Sequence, residues 1–162
     1  MSVGANPGPP ALPPGTFRID RDGVWRHEGQ EVTHPGVLQN LYANLQVDAQ
    51  GHYLQVGPSR IPVDLEDAPF VVTRVELTTL PEDPRQALRM CLSDGSVERL
   101  SPESLWIGSR EIPYCRVKSG RFTARFTVSA WLQLAAFVEE GPQPGQTALV
   151  LSGVRCPLPR RD

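Results

Sequence analysis

Arg60-Ile61-Pro62-Val63-Asp64-Leu65-Glu66-Asp67-Ala68-Pro69-Phe70-Val71-Val72 is the stretch that decides the fold. In an extended chain Val63 and Leu65 fall on one face and Asp64 and Glu66 on the other, the pattern of a half-buried strand. Asp67 breaks the alternation. Pro69 then removes a backbone donor and biases Ala68 towards extended geometry, so the strand is expected to bend or change partner before Phe70, Val71 and Val72 re-enter a core. Two roles compete for Glu66 and Asp67. They either bond backbone amides at a water-facing bend or gather ligand or partner groups at a break between strands.

Upstream of this stretch, Phe17 to Asp20 reads as a strand, Asp22-Gly23 as a hairpin turn and Val24 to His27 as the return strand. Glu28-Gly29-Gln30 offers a second turn. Thr33 is the expected N-cap of a helix with Pro35 in its first turn, because Val37, Leu38, Leu41, Tyr42 and Leu45 recur at helical spacing to about Gln46. His52 to Val56 is a strand, and Gly57-Pro58-Ser59 turns into the opening stretch.

Downstream, Phe70 to Thr78 continues as a strand, and Pro81 to Pro84 is the best internal boundary. Gln86 to Leu92 and Val97 to Leu100 form a hairpin about Asp94-Gly95, Ser101 to Ser104 one helical turn, and Ile112 to Val117 with Phe122 to Thr127 a third hairpin about Ser119-Gly120. Ser129 caps an apolar helix through Trp131, Leu132, Leu134, Phe137 and Val138, expected to be buried on most of its surface. Thr147 to Leu151 is a last strand.

One pattern occurs twice: a turn glycine, an aromatic two residues later, an extended segment, a helix and a strand. Gly23 and Trp25 open the first copy; Gly120 and Phe122 open the second. The expected fold is therefore α+β, with two similar antiparallel-sheet-plus-helix subdomains in tandem over residues 16–80 and 81–156. A disordered Pro/Gly-rich tail of residues 1–15 precedes them, and residues 157–162 form a short tail.

The 162 residues suffice for one domain or two small subdomains. A net charge of -2 and a pI near 5.9 argue against broad nucleic-acid binding. Positive charge is almost all arginine, with Lys118 the sole lysine. Cys91, Cys115 and Cys156 are widely spaced and odd in number, which suits reduced thiols rather than a disulfide framework or zinc site. Residues 1–15 lack the features of a signal peptide, and no apolar run approaches the ~18 residues that span a bilayer. A cytoplasmic protein without membrane association is expected.

Catalytic signatures are sparse. His27-Glu28 lacks the second histidine of a zinc-protease helix, and His27, His34 and His52 are too scattered for a metal site. Neither a phosphate-cradling Gly-Lys-Ser/Thr loop nor a Gly-x-Ser-x-Gly elbow occurs, so no cofactor, metal or catalytic residue is assigned. Asp64, Glu66 and Asp67 could share acid–base work as in a hydrolase, but no third partner is evident. The strongest positive feature is the third hairpin, whose two-residue loop sets Lys118 opposite Arg121 and puts Arg116 and Arg125 on the same face. Such a face attracts an anion, or the carboxylates near Glu66 across a subdomain interface; alternatively it is simply solvated.

Ile19-Asp20-Arg21-Asp22-Gly23-Val24-Trp25, His27-Glu28-Gly29, Tyr53-Leu54 and above all Glu66-Asp67-Ala68-Pro69-Phe70 resemble the bacterial domain-of-unknown-function family 1285. The resemblance runs from about Phe17 to Val138, and Pro113-Tyr114, Val117 and Ala124 carry it in the second half. It implies two tandem α+β subdomains, the second loosely pleckstrin-homology-like, a nucleotide-type ligand site at their interface and a signalling role, with no established activity. The chain departs from the family pattern at Val56-Gly57-Pro58-Ser59-Arg60, where a Thr-Pro-x-Glu-Lys run is usual, and at Val128, where an arginine is expected. The expected function is sensing of a nucleotide-type or phosphate-bearing ligand, with a protein–protein adaptor as the alternative. In the sensing role Arg116, Lys118 and Arg121 hold the anion, Trp25, Phe70 or Tyr114 stacks, His27 lines the site, and Glu66 and Asp67 accept donors.

Overall fold

The structure, a computed structural model, describes residues 16–81 and 83–161; the expected N-terminal tail of residues 1–15 lies outside them, as do Glu82 and Asp162. The chain divides into two compact units, Met1–Asp67 and Ala68–Asp162.

The first unit holds β1 (Phe17–Ile19), β2 (Trp25–His27), β3 (Gln30–Glu31), α1 (Pro35–Asn44), β4 (Leu45–Asp48), β5 (Gly51–Val56) and β6 (Ser59–Leu65). Its sheet has the order β3-β2-β1-β6-β5-β4. Phe17, Ile19, Trp25, Leu41, Leu45, Leu54 and Val63 form the core, the strand residues among them coming from alternating positions. Among the described residues, β1 and β6 are the unit's parallel pair, so the sheet is mixed rather than purely antiparallel. The intervening chain, helix included, supplies the long connection a parallel pair needs.

The helix starts one residue later than Thr33 suggested. His34 is the N-cap, and its imidazole Nδ1 accepts from the amides of Gly36 and Val37 at 3.0 and 3.3 Å. It ends at Asn44 rather than near Gln46 because Leu45 and Val47 pair with β5 opposite Leu54 and His52. Tertiary pairing overrides helical periodicity there.

The second unit contains β7 (Phe70–Leu80), β8 (Asp83–Leu92), β9 (Val97–Arg99), β10 (Trp106–Ile107), β11 (Pro113–Val117), β12 (Phe122–Phe126), α2 (Val128–Ala135), β13 (Val138–Glu140), β14 (Thr147–Leu151) and β15 (Val154–Pro157). One sheet runs β10-β11-β12-β7-β8-β9 and a smaller one β13-β14-β15. Here too one pair is parallel, β12 with β7. The break at Asp67–Pro69 thus changes partners as expected: β6 pairs with β1 and β5, β7 with β8 and β12. Pro81, which opens the stretch read in the sequence as a boundary, follows β7, and β7 and β8 pair within this unit.

The duplicated plan is visible in the elements. Hairpin β1–β2, α1 and meander β4–β5–β6 correspond to hairpin β11–β12, α2 and meander β13–β14–β15. Gly23 (φ 84°) and Gly120 (φ 80°) take the left-handed conformation that each turn requires, and Trp25 and Phe122 are buried two residues later.

Three expectations fail in the second unit. Thr127, not Ser129, caps α2, its side chain accepting from the Ala130 amide at 3.0 Å. The helix stops at Ala135, and Val138 joins a strand paired with β14. Only Ala130 and Leu134 of α2 are buried, while Val128 is 76% and Leu132 67% exposed. The helix is only two turns long and rests one face on the sheet, where Gln133 Oε1 accepts from the Val75 amide at 2.7 Å. Residues 158–161 of the short C-terminal tail are held against this unit. Leu158 is buried, the Ile107 amide donates to the Pro159 carbonyl at 2.8 Å, and the Arg161 amide donates to the Ile107 carbonyl at 2.9 Å.

Candidate functional site

The hairpin of cations folds in the expected register, Val117 opposite Phe122 and Tyr114 opposite Arg125, but its charges do not act together. Lys118, Ser119 and Gly120 all have positive φ, which turns the Lys118 side chain towards the neighbouring β8–β9 hairpin. There Nζ donates to Asp94 Oδ2 at 2.7 Å and Ser96 Oγ at 2.9 Å, lies 3.8 Å from Glu98 Oε2, and sits 5.5 Å from the centre of the Phe70 ring. The Lys118 amide bonds the Glu98 carboxylate as well. Burial works to raise the Asp94 pKa, but hydrogen bonds from Lys118 and Ser96 outweigh it and hold the carboxyl below its ordinary value. Lys118 is thus a strut between two hairpin tips. Arg116 remains exposed and bonds Thr123 Oγ1 at 2.7 Å, and the exposed Arg121 lies 5.1 Å from the Phe122 ring centre.

The aromatic candidates each pack against a neighbouring ring. Phe70 is buried against Phe122, with ring centres 5.3 Å apart. Tyr114 stacks on Trp106 at 5.6 Å, and the Arg161 guanidinium lies 5.1 Å from the Trp106 ring. In the first unit Trp25 is buried edge-on to Phe17 and Tyr42, and its indole Nε1–H lacks a hydrogen-bond partner among the described residues. His27 packs against Phe17 at 4.8 Å.

Glu66 makes its hydrogen bonds at the bend that follows β6. It binds the Arg21 guanidinium at 2.6 and 2.8 Å and accepts from the Arg21 amide at 3.0 Å, so it clamps the β1–β2 turn. The Arg21 hydrogen bonds hold its pKa below the ordinary carboxylate value, the opposite of what a general acid needs. Asp64 is exposed on β6 and Asp67 half-buried. Metal ligation has no support among the described residues, where no group of three or more His, Cys, Asp or Glu could hold an ion. No helix among them is long and apolar enough to cross a membrane.

The arrangement with binding potential lies elsewhere in the second unit. A cleft of about 320 Å³ opens between β8, the end of β9 and the β14–β15 hairpin. Leu88, Leu100 and Leu149 give it an apolar floor; Arg85, Arg99, Arg155, Glu103 and Cys156 line it as well. Ser152 holds the hairpin tip to the strand by accepting from the Gln86 amide at 2.7 Å. Arg155 is tied to Glu139 at 3.3 Å and to the Glu140 carbonyl at 2.6 Å, whereas Arg99 has no ion pair among the described residues. Burial, with the Glu103 charge adding to it, pushes the Cys156 thiol pKa up. The site therefore presents three guanidinium groups, one carboxylate and a neutral thiol over leucines.

No family model and no curated protein matches this sequence. Two solved structures do. One is a DUF1285 family protein from Silicibacter pomeroyi DSS-3, with a TM-score of 0.71 at 23% identity over 95% of this chain and 89% of that one. The chain has the DUF1285 fold. A second DUF1285 protein, from Shewanella baltica OS155, matches with a TM-score of 0.61 at 14% identity over 75% of this chain and 91% of that one. The DUF1285 likeness at the higher TM-score covers 95% of the chain and so takes in elements of both units.

None of the ligand-binding candidates named from the sequence lines the cleft of this DUF1285 fold. Its arginines come from positions 85, 99 and 155, separated by intervening elements and by β15, which carried no strand signal strong enough to mark it.

Proposed function

We propose that this chain is a non-catalytic ligand-sensing module, acting in signal transduction, that takes an anionic small molecule into the cleft of its second unit. One observation carries the reading: Arg85, Arg99 and Arg155 outnumber the single carboxylate Glu103 around an apolar floor. Guanidinium forks suit carboxylate and phosphate groups, and a mostly apolar cleft with a few polar groups is the usual form of a small-molecule site. Nucleotide-type and other phosphate-bearing molecules fall within that class. A hydrolase is less well supported, because Glu66 is clamped by Arg21, and Ser96 Oγ, which donates to Asp94, faces a lysine already paired with that carboxylate.

The test is thermal unfolding of the full chain against inorganic phosphate, AMP and carboxylates from acetate to decanoate, repeated with Arg99→Ala. Ligand at a hundred times its Kd adds about 2.7 kcal/mol, roughly 5 to 11 °C in Tm for a chain of this size. A saturable rise lost in the variant supports the reading; a wild-type Tm that no anion moves contradicts it. The exposed Val128 and Leu132 on a helix without a charged residue favour a protein-binding adaptor as the second reading. That reading requires the wild-type chain to retain a partner that the Leu132→Gln chain loses.

A further inference from the structure

We infer that the cleft takes an aliphatic anion, a carboxylate or phosphate head on a hydrocarbon chain, rather than a nucleotide. This rests on the cleft being the ligand site. A nucleobase is held by stacking on an aromatic face and by hydrogen bonds at its edge. Among the described residues lining the cleft none is aromatic. The lining instead supplies Ala87, Leu88, Leu100, Leu149, Leu151 and Val154, a surface that rewards burial of methylene groups and nothing more specific. Of Trp25, Phe70 and Tyr114, the expected stacking residues, the two that belong to this unit pack elsewhere: Phe70 on Phe122, and Tyr114 on Trp106.

Polar groups in the cleft divide in the same sense. Ser152 Oγ is engaged with the Gln86 amide, and Glu103 accepts from Ser101 Oγ at 2.9 Å. Burial, with the Glu103 charge adding to it, raises the Cys156 thiol pKa, so this group adds no anionic charge that would oppose an anionic head. Arg99, exposed on edge strand β9 and without an ion pair among the described residues, is the guanidinium placed to receive an anionic head without breaking a protein contact. The cleft volume, about 320 Å³, is at the small end for ligand sites and suits one chain of moderate length.

The experiment is titration calorimetry of the full chain with acetate, hexanoate, octanoate and decanoate, with AMP and inorganic phosphate alongside. Acetate should give no measurable heat, and affinity should rise about threefold to fourfold per methylene through the series. Arg99→Ala should weaken decanoate about tenfold or more, Arg116→Ala should leave it unchanged, and Leu151→Ser should flatten the dependence on chain length. Each variant is checked first for a wild-type melting profile. Binding of AMP or phosphate that depends on Arg99, with carboxylate affinity indifferent to chain length, would overturn the aliphatic assignment and leave the anion-sensing reading standing. If no anion binds, both fall.

Discussion

Replacing Lys118 with Met separates a structural cation from a ligand-binding one. In the wild type the ammonium donates to Asp94 at 2.7 Å and to Ser96 Oγ at 2.9 Å, with the Asp94 side chain 13% and the Lys118 side chain 27% exposed. Lys118→Met removes the ion and leaves Asp94 with the Ser96 amide and hydroxyl as its hydrogen-bond donors, at 3.0 and 2.5 Å. A hydrogen bond to a charged group is worth about 1.5–3 kcal/mol, and the stranded carboxylate adds a desolvation cost, so a loss of about 2–3 kcal/mol is expected. That corresponds to a fall of roughly 4 to 12 °C in Tm. Because Asp94 is held below its ordinary value of 3.8, its contribution is complete above that pH and is lost as pH falls through the folded value. The acid limb of the stability profile should therefore move to higher pH in the variant. Urea unfolding at neutral pH and across the acid range measures both effects. Arg116→Met, on the exposed face, should stay within about 0.5 kcal/mol of wild type. If the two variants lose the same stability, the strut assignment is wrong.

His34→Ala should cost about 1 kcal/mol in chemical denaturation by leaving two helix amides uncapped, and His34→Asp should restore most of it. The Asp48 carboxyl, hydrogen-bonded to Arg60 at 2.6 and 2.9 Å, should titrate at about 2 by carboxyl NMR and return towards 3.8 in Arg60→Ala. Thiol-reagent kinetics should find Cys91 and Cys156 reactive first and Cys115 silent until unfolding, since burial pushes its pKa to about 12. Leu134→Ala should cost about 2–5 kcal/mol, whereas Leu132→Gln should change stability by less than about 0.5 kcal/mol.

Local patterning carried most of the fold. The alternation at Val63 and Leu65, the Asp67–Pro69 break and the Gly23–Trp25 and Gly120–Phe122 pairs each correspond to a strand, a change of partner or a hairpin. What local patterning could not reveal is what distant residues contribute. Leu45 leaves a helical repeat because β5 is there to pair with it, and Val138 does the same beside β14. The charge of Lys118 is legible in the hairpin, but its neutralisation depends on Asp94 and Glu98, twenty-four and twenty positions before it on another hairpin. The cleft is harder still, since Arg99 and Arg155 become neighbours only when the β14–β15 hairpin closes on β8.

The most direct test of the central claim is an NMR titration that follows the arginine side-chain Nε–Hε signals of the full chain while decanoate is added. The cleft account predicts saturable shifts at Arg99 and Arg155, accompanied by the amides of Gln86, Leu100 and Ser152, with Arg116 and Arg121 unmoved. Shifts confined to Arg116 and Arg121, with Arg99 silent, would contradict it.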